Sequence, residues 1–107
     1  MGIIRVDHNA DNTDVALAVG EELEITLGEN PSTGFRWELL SPGEPQCALV
    51  AHNFEPPSPA VPGRGGRHHW RFKAASAGSG KIEMVYRRPM ERDQAPARTF
   101  KLSVRVC

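Results

Sequence analysis

Residues 100–106 read Phe-Lys-Leu-Ser-Val-Arg-Val, and this stretch decides the fold class. Its apolar side chains fall on every second position, with Lys101, Ser103 and Arg105 between them. Side chains alternate between the two faces of a β-strand, so a segment of this kind buries one face and exposes the other to water. The pattern predicts a half-buried strand.

The same alternation recurs along the chain, and no segment shows helical periodicity. Nine prolines and ten glycines punctuate the alternating segments as turns. Seven or eight short strands in one chain of 107 residues predict an all-β fold, an immunoglobulin-like antiparallel β-sandwich. The Cys-Trp-Cys signature of true immunoglobulin domains is missing, so the likeness is one of architecture. The further strands are expected at residues 3–6, 15–19, 23–27, 35–39, 48–54, 70–72 and 82–86.

Composition sets limits on size, partners and compartment. An apolar fraction of 39% and a charged fraction of 24% are ordinary for a globular protein, and residues 1–107 are expected to form a single domain. The formal net charge is zero, and a nucleic-acid binder would show a basic excess. No apolar run approaches the roughly 20 residues that cross a bilayer. We expect neither a nucleic acid nor a membrane as a partner, and we expect the protein to be a monomer. The N-terminus lacks a secretory signal, so the protein is cytoplasmic, or periplasmic or secreted if an export signal was removed.

Cysteines and histidines give no sign of a cofactor, a metal site or catalysis. Cys47 and Cys107 are too few for a zinc site, and separate thiols are favoured over one bridge between them. His68 and His69 are adjacent, so in a strand they point to opposite faces and cannot chelate one metal together. His8 and His52 have no nearby ligand pattern. The segment Gly78-Ser79-Gly80 lacks the nucleophile-elbow pattern and is interpreted as a hairpin turn.

Three connections between strands carry the remaining information. The first spans residues 28–34 and contains a motif in which proline fixes one backbone angle and glycine permits a positive φ, so the loop turns sharply before an aromatic residue re-enters the core. On turn chemistry alone it is an ordinary Pro/Gly turn. If strands simply alternate up and down, all three connections lie at one end. The motif reads Asn30-Pro31-Ser32-Thr33-Gly34-Phe35.

The second and third connections each contain a shorter motif. Within residues 55–66, closely spaced glycines would let a foreign backbone approach and pair as an added strand. Within residues 87–98, an arginine offers a planar, multi-donor group and the next residue, proline, stiffens the chain. Alone, these motifs are a flexible turn and a solvated strand end. They read Gly63-Arg64-Gly65-Gly66 and Arg88-Pro89-Met90.

Together, the three motifs resemble those of the chagasin-like inhibitors of papain-family cysteine peptidases. That family carries an Asn-Pro-Thr-Thr-Gly-aromatic loop, a Gly-x-Gly-Gly loop and an Arg-Pro-aromatic loop, in this order. The resemblance implies an immunoglobulin-like fold without required disulfides and assigns the thirteen motif residues to peptidase binding. Ser32 stands where the family has Thr. Met90 stands where it has an aromatic residue, and Met is the more flexible anchor.

The sequence therefore predicts a reversible proteinaceous inhibitor of papain-like cysteine peptidases rather than an enzyme. As the resemblance implies, Ser32 and Thr33 would lie against the catalytic cysteine, and the other two motifs would lie along the arms of the cleft. One alternative is an immunoglobulin-like module that binds a protein or glycan without inhibiting a peptidase. A metal-dependent enzyme that uses the histidines is the third alternative.

Overall fold

The computed structural model describes residues 2–30, 33–56, 65–91 and 93–107. These residues form eight β-strands, the upper number expected from the alternation. The short connection between the first two strands contains a three-residue 3₁₀ turn, His8–Ala10. The strands are β1 Ile3–Val6, β2 Thr13–Leu17, β3 Glu22–Glu29, β4 Arg36–Pro42, β5 Cys47–Glu55, β6 Gly66–Ala74, β7 Gly78–Arg87 and β8 Arg98–Val106.

The strands form two four-stranded sheets, in the orders β1-β3-β6-β5 and β2-β8-β7-β4. The inner pairs are antiparallel, as expected, but two edge strands are not: β1 runs parallel to β3, and β2 runs parallel to β8. The cause is the path of the chain. It runs up in β1, crosses to the other sheet and runs down in β2, then returns and runs up again in β3. The neighbours β1 and β3 therefore point the same way.

The core lies between the sheets and is built from the inward half of each alternation. In β3, Leu23, Ile25 and Leu27 are buried, while the residues between them face outward. The stretch at residues 100–106 behaves as expected, because its four apolar residues are buried. Removing such side chains from water is the main stabilising term of a fold of this kind. The other buried apolar residues are Leu17, Trp37, Cys47, Trp70, Phe72, Ala74, Ile82, Met84 and Val85.

From β3 to β8 the chain alternates direction at every strand. The connections that follow β3, β5 and β7 therefore leave the same end of the sandwich, which we call the loop end. The connections that follow β2, β4 and β6 close the opposite end. The expectation that the three motif-bearing loops share one end is confirmed by this topology.

Two local expectations are wrong. Gly78-Ser79-Gly80 is not a hairpin turn, because these residues begin β7 and pair with β8, opposite Val106, Arg105 and Val104. The preceding connection is residues 75–77. The first connection is also shorter than expected, since Gly28 and Glu29 belong to β3 and pair with β6.

Across the ranges that the structure describes, no helix is long and apolar enough to span a membrane.

Candidate functional site

The base of the first loop is closed by side chains. Its two stems, β3 and β4, belong to different sheets, so no backbone ladder joins them. The Trp37 backbone N–H donates to Glu29 Oε2 at 2.8 Å, and the Trp37 indole Nε1–H donates to the Gly28 carbonyl oxygen at 2.8 Å. Trp37 is buried. These two bonds fix the separation at which the loop leaves the sandwich.

The described part of the first loop forms a tight turn. The Thr33 backbone N–H and hydroxyl both donate to the Asn30 carbonyl oxygen, at 3.2 and 2.8 Å. Gly34 has a φ of 83°, the positive value expected from the motif. Phe35 is half-buried and stacks on Tyr86, with ring centroids 5.5 Å apart. The Tyr86 hydroxyl in turn accepts a hydrogen bond from the Asn30 N–H at 3.1 Å.

The third loop contacts the first through Arg88. Its Nε–H donates to the Thr33 carbonyl oxygen at 3.2 Å, and its guanidinium carbon lies 4.7 Å from the centre of the Phe35 ring. Guanidinium groups combine fork-like donors with stacking on aromatic faces, which suits both contacts. Met90, two residues later, is 95% exposed. It projects from the loop end instead of packing on it.

The second loop contacts the first at one of its glycines, Gly65. Gly65 is exposed, and a Cβ atom placed on it would lie 3.3 Å from Asn30 Cβ. Gly66 lies inside the sheet, paired with Glu29. A Cβ atom there would collide with the Glu55 carbonyl oxygen and lie 2.8 Å from Phe54 Cζ. The close backbone approach at Gly66 is therefore to its own neighbouring strand, and of the two described glycines of this motif only Gly65 is exposed.

The structure thus brings together described residues of all three motifs at the loop end. Pro31, Ser32, Gly63 and Arg64 lie outside the described residues, so nothing is said of their placement. The gathered residues are Asn30, Thr33, Gly34, Phe35, Gly65, Gly66, Arg88, Pro89 and Met90.

The histidines of β5 and β6 take part in two hydrogen-bonded chains. On the inner face, His68 Nδ1 lies 3.1 Å from Glu29 Oε1, and His68 Nε2 lies 3.1 Å from His52 Nδ1. On the outer face, His69 joins Thr26 to Glu55 at 2.9 and 3.0 Å. The expectation that the adjacent histidines point to opposite faces is confirmed. Within the described ranges, no three potential ligand side chains are grouped to hold a metal ion.

Both cysteines are free thiols, as favoured from the sequence. Cys47 is buried at the opposite end, at the start of β5, and burial raises the pKa of its thiol. Cys107 is exposed.

Sequence reasoning missed the residues that support the loops. The sequence pattern assigns Glu29 to a connection, treats Tyr86 and Trp37 only as strand residues, and gives His52 no nearby ligand pattern. One signal was available: Glu29 occupies the inward position that follows Leu23, Ile25 and Leu27, where alternation calls for an apolar residue. The contact of His52 with His68 depends on the β5–β6 register, which no local pattern encodes.

The fold and the loop end define a β-sandwich that gathers described residues of three loops at one end, and comparisons with known proteins give its family. Residues 16–104 match the family model described as chagasin family peptidase inhibitor I42. The chain is also 38% identical over 96 residues to amoebiasin-1 of Entamoeba histolytica, an alignment that covers 90% of this chain and 92% of that protein. The chain belongs to the chagasin family of peptidase inhibitors. The predicted chagasin-like inhibitor is confirmed, and so is the expectation that the protein is not an enzyme, because the family consists of inhibitors.

Solved structures show the same fold. The cysteine protease inhibitor EhICP2 from Entamoeba histolytica superposes with a TM-score of 0.85 at 23% identity, covering 99% of this chain and 96% of that one. The inhibitor PbICP-C, solved in complex with falcipain-2, gives a TM-score of 0.71 at 21% identity, covering 98% and 89%.

Proposed function

We propose that this protein reversibly inhibits papain-like cysteine peptidases by filling their active-site cleft with the loop end. The observation that carries the proposal is the contact among the three loops: Arg88 binds the Thr33 carbonyl oxygen, and Gly65 lies against Asn30. Described residues of three motifs that are far apart in sequence thereby lie in contact with one another. PbICP-C, which shares the fold, was solved with falcipain-2 bound.

In the proposed complex the first loop enters at the catalytic cysteine, with Ser32 and Thr33 at its tip. Residues 63–66 lie along one arm of the cleft, and residues 88–90 lie along the other. The carbonyl oxygens of Asn30 and Thr33 already accept hydrogen bonds from within the inhibitor. A carbonyl held in this way is not free to turn into attack geometry, and a misplaced reacting centre gives little turnover. We therefore expect these two peptide bonds to resist cleavage while the loop blocks the cleft.

Affinity in this account comes from preorganisation. The first loop is pinned at its base by Trp37 and Tyr86 and at its tip by Arg88. A loop that is already ordered loses little conformational entropy when it docks. The same interface area would bind more weakly if these ties were absent, because the ordering cost would then fall on the binding step.

The test is a titration of papain and a cathepsin-type peptidase with wild type, Thr33→Arg and Thr33→Ser. Arginine at the exposed tip adds bulk and charge where the cleft closes around the loop, so we expect inhibition to fall about 100-fold or more, while the thermal midpoint changes by only a few degrees. Serine keeps the hydroxyl that donates to Asn30 and is expected to inhibit nearly as well as wild type. Undiminished inhibition by Thr33→Arg would refute a central role for the first loop.

A further inference from the structure

We propose that Glu29 is a positioning residue whose negative charge keeps the first loop in its binding shape when His68 becomes protonated. This inference rests on the proposed function, since the loop shape matters through the peptidase it fits. Glu29 does not reach the peptidase itself in this account. It acts through Trp37 on one side and His68 on the other.

The placement of Glu29 is unusual for a carboxylate. The side chain points into the sandwich and the residue is only 4% exposed. A buried carboxylate is costly unless hydrogen bonds and a partner charge compensate for the lost water. Glu29 is the last residue of β3, directly before Asn30, so whatever holds its side chain also holds the start of the first loop.

Its two oxygens tie three strands together. Oε2 accepts from the Trp37 N–H in β4, and Oε1 faces His68 Nδ1 in β6. A carboxylate only accepts, so His68 Nδ1 carries the proton of that bond. When His68 is neutral, its Nε2 is then the acceptor for the His52 Nδ1–H. The chain of bonds runs from the loop stem to the edge strand β5.

Protonation of the imidazoles changes only part of this chain. Among the described residues, the titratable groups that contact His68 are Glu29 from β3 and His52 from β5, and the rings of Trp70 and Phe54 pack around it. A second proton on His68 places an N–H on Nε2, so Nε2 can no longer accept the His52 Nδ1–H. The Nδ1–H bond to Glu29 remains and becomes an ion pair. The link to the first loop therefore survives acidification because Glu29 is charged.

Glutamine at position 29 would behave differently. At neutral pH its oxygen can accept from Trp37 and its NH₂ can donate to His68 Nδ1, provided that His68 takes its other tautomer. Protonated His68 has no acceptor left, so its Nδ1–H would face the glutamine NH₂. Two donors that face each other form no hydrogen bond. Glu29→Gln is thus expected to support the loop when His68 is neutral and to lose it as the pH falls.

The experiment measures the inhibition constant of wild type and Glu29→Gln against papain from about pH 8 to about pH 5, the range in which histidines ordinarily titrate. The ratio of the two constants removes the peptidase's own pH dependence. We expect the ratio to stay within about threefold at pH 8 and to rise to about tenfold or more at pH 5. The Trp37 amide should also lose protection from hydrogen exchange in Glu29→Gln, relative to wild type at the same pH, as the pH falls.

Two further variants separate this role from a general structural one. Glu24→Gln makes the same substitution on the outer face of the same strand, where Glu24 pairs with Arg5 and Arg71, and its ratio should not depend on pH. Adding His68→Gln to Glu29→Gln removes the imidazole beside position 29 and should flatten the ratio. A ratio for Glu29→Gln that is the same at pH 8 and pH 5 would overturn the inference.

If Glu29→Gln does not fold, Glu29→Asp takes its place. Aspartate keeps the charge but is too short to reach both Trp37 and His68, so inhibition should weaken about tenfold at every pH. Unchanged inhibition by Glu29→Asp would also overturn the inference. If wild type itself inhibits no papain-like peptidase, the proposed function fails instead, which is a distinct result.

Discussion

At the end of the sandwich opposite the loops, main-chain hydrogen bonds join the connections, supplemented by one side-chain bond from the Ser76 hydroxyl to the Pro45 carbonyl oxygen. At the loop end, side chains tie the first loop to the third loop and its strand. At the opposite end the Gly20 N–H donates to the Ala74 carbonyl oxygen at 2.8 Å, and the Ala75 N–H donates to that of Gln46 at 2.7 Å. At the loop end the corresponding ties need Tyr86 and Arg88.

The difference has a consequence for how each end tolerates change. A main-chain hydrogen bond survives substitution of the side chain beside it, so the opposite end keeps its geometry under many sequences. A side-chain tie is lost when one residue changes. The loop end is therefore the part of the molecule whose shape, and with it the affinity for a peptidase, can be altered one residue at a time.

The largest expected effect comes from Gly66→Ala at the loop end. The added methyl group would overlap the Glu55 carbonyl oxygen and crowd Phe54, forcing β5 and β6 apart beside the second loop. We expect a loss of about 3 kcal/mol of stability and a loss of inhibition of about 100-fold. Urea unfolding and papain inhibition, both measured where the variant is folded, check this. Gly28→Ala is the control, since a methyl group there meets open space.

Gly80→Ala makes the same substitution at the opposite end. Its methyl group would lie 2.7 Å from the Gly43 carbonyl oxygen, so we expect a comparable loss of stability of about 2–3 kcal/mol. The folded protein should inhibit papain as well as wild type does, because the loop end is untouched. If Gly80→Ala lost inhibition in proportion to stability, the two ends would not be independent and the comparison would fail.

Arg88→Lys tests the side-chain tie between the first and third loops. Lysine keeps the charge but loses the planar fork that binds the Thr33 carbonyl oxygen while covering Phe35. We expect inhibition to weaken about tenfold, through a faster dissociation rate, with stability changed by less than about 1 kcal/mol. The dissociation rate is measured from immobilised papain. Arg105→Lys, at an exposed position in β8, serves as the control. Equal dissociation rates for Arg88→Lys and wild type would show that the tie is dispensable.

These two ends also differ in how far the sequence could predict them. Alternation in segments such as residues 23–27 and 100–106 was enough for the strands, because burial on one face is a local pattern. The motif glycines and prolines located the loops, since φ preferences are local too. The Glu29–Trp37 and Arg88–Thr33 contacts could not be predicted, because the first joins strands of different sheets and the second joins loops that are far apart in sequence. The glycines of β7 misled for a related reason: Gly80 faces a neighbouring backbone that only the fold brings close.

Met90→Trp is expected to sharpen the loop end. Met90 is almost fully exposed, so an aromatic ring there adds a rigid anchor for the peptidase without disturbing packing. We expect inhibition to tighten about fivefold with an unchanged thermal midpoint. Met90→Leu, which keeps a flexible aliphatic side chain, should match wild type. If Met90→Trp does not tighten binding, the third loop does not contact the peptidase in the way proposed.

The smallest effect is expected at the opposite end, from the buried Cys47 thiol. Because burial raises its pKa, the unfolded chain releases this proton at a lower pH than the folded protein does. Stability then falls as the pH rises through the alkaline range, since the folded state binds the extra proton. In a Cys107→Ala background, urea unfolding under reducing conditions should show that this alkaline loss is smaller once Cys47→Ala is added. Other groups that titrate there are the same in both proteins and cancel in the difference. Parallel stability curves would mean that the Cys47 thiol is not shielded from water as its burial indicates, while inhibition should be unaffected in either protein.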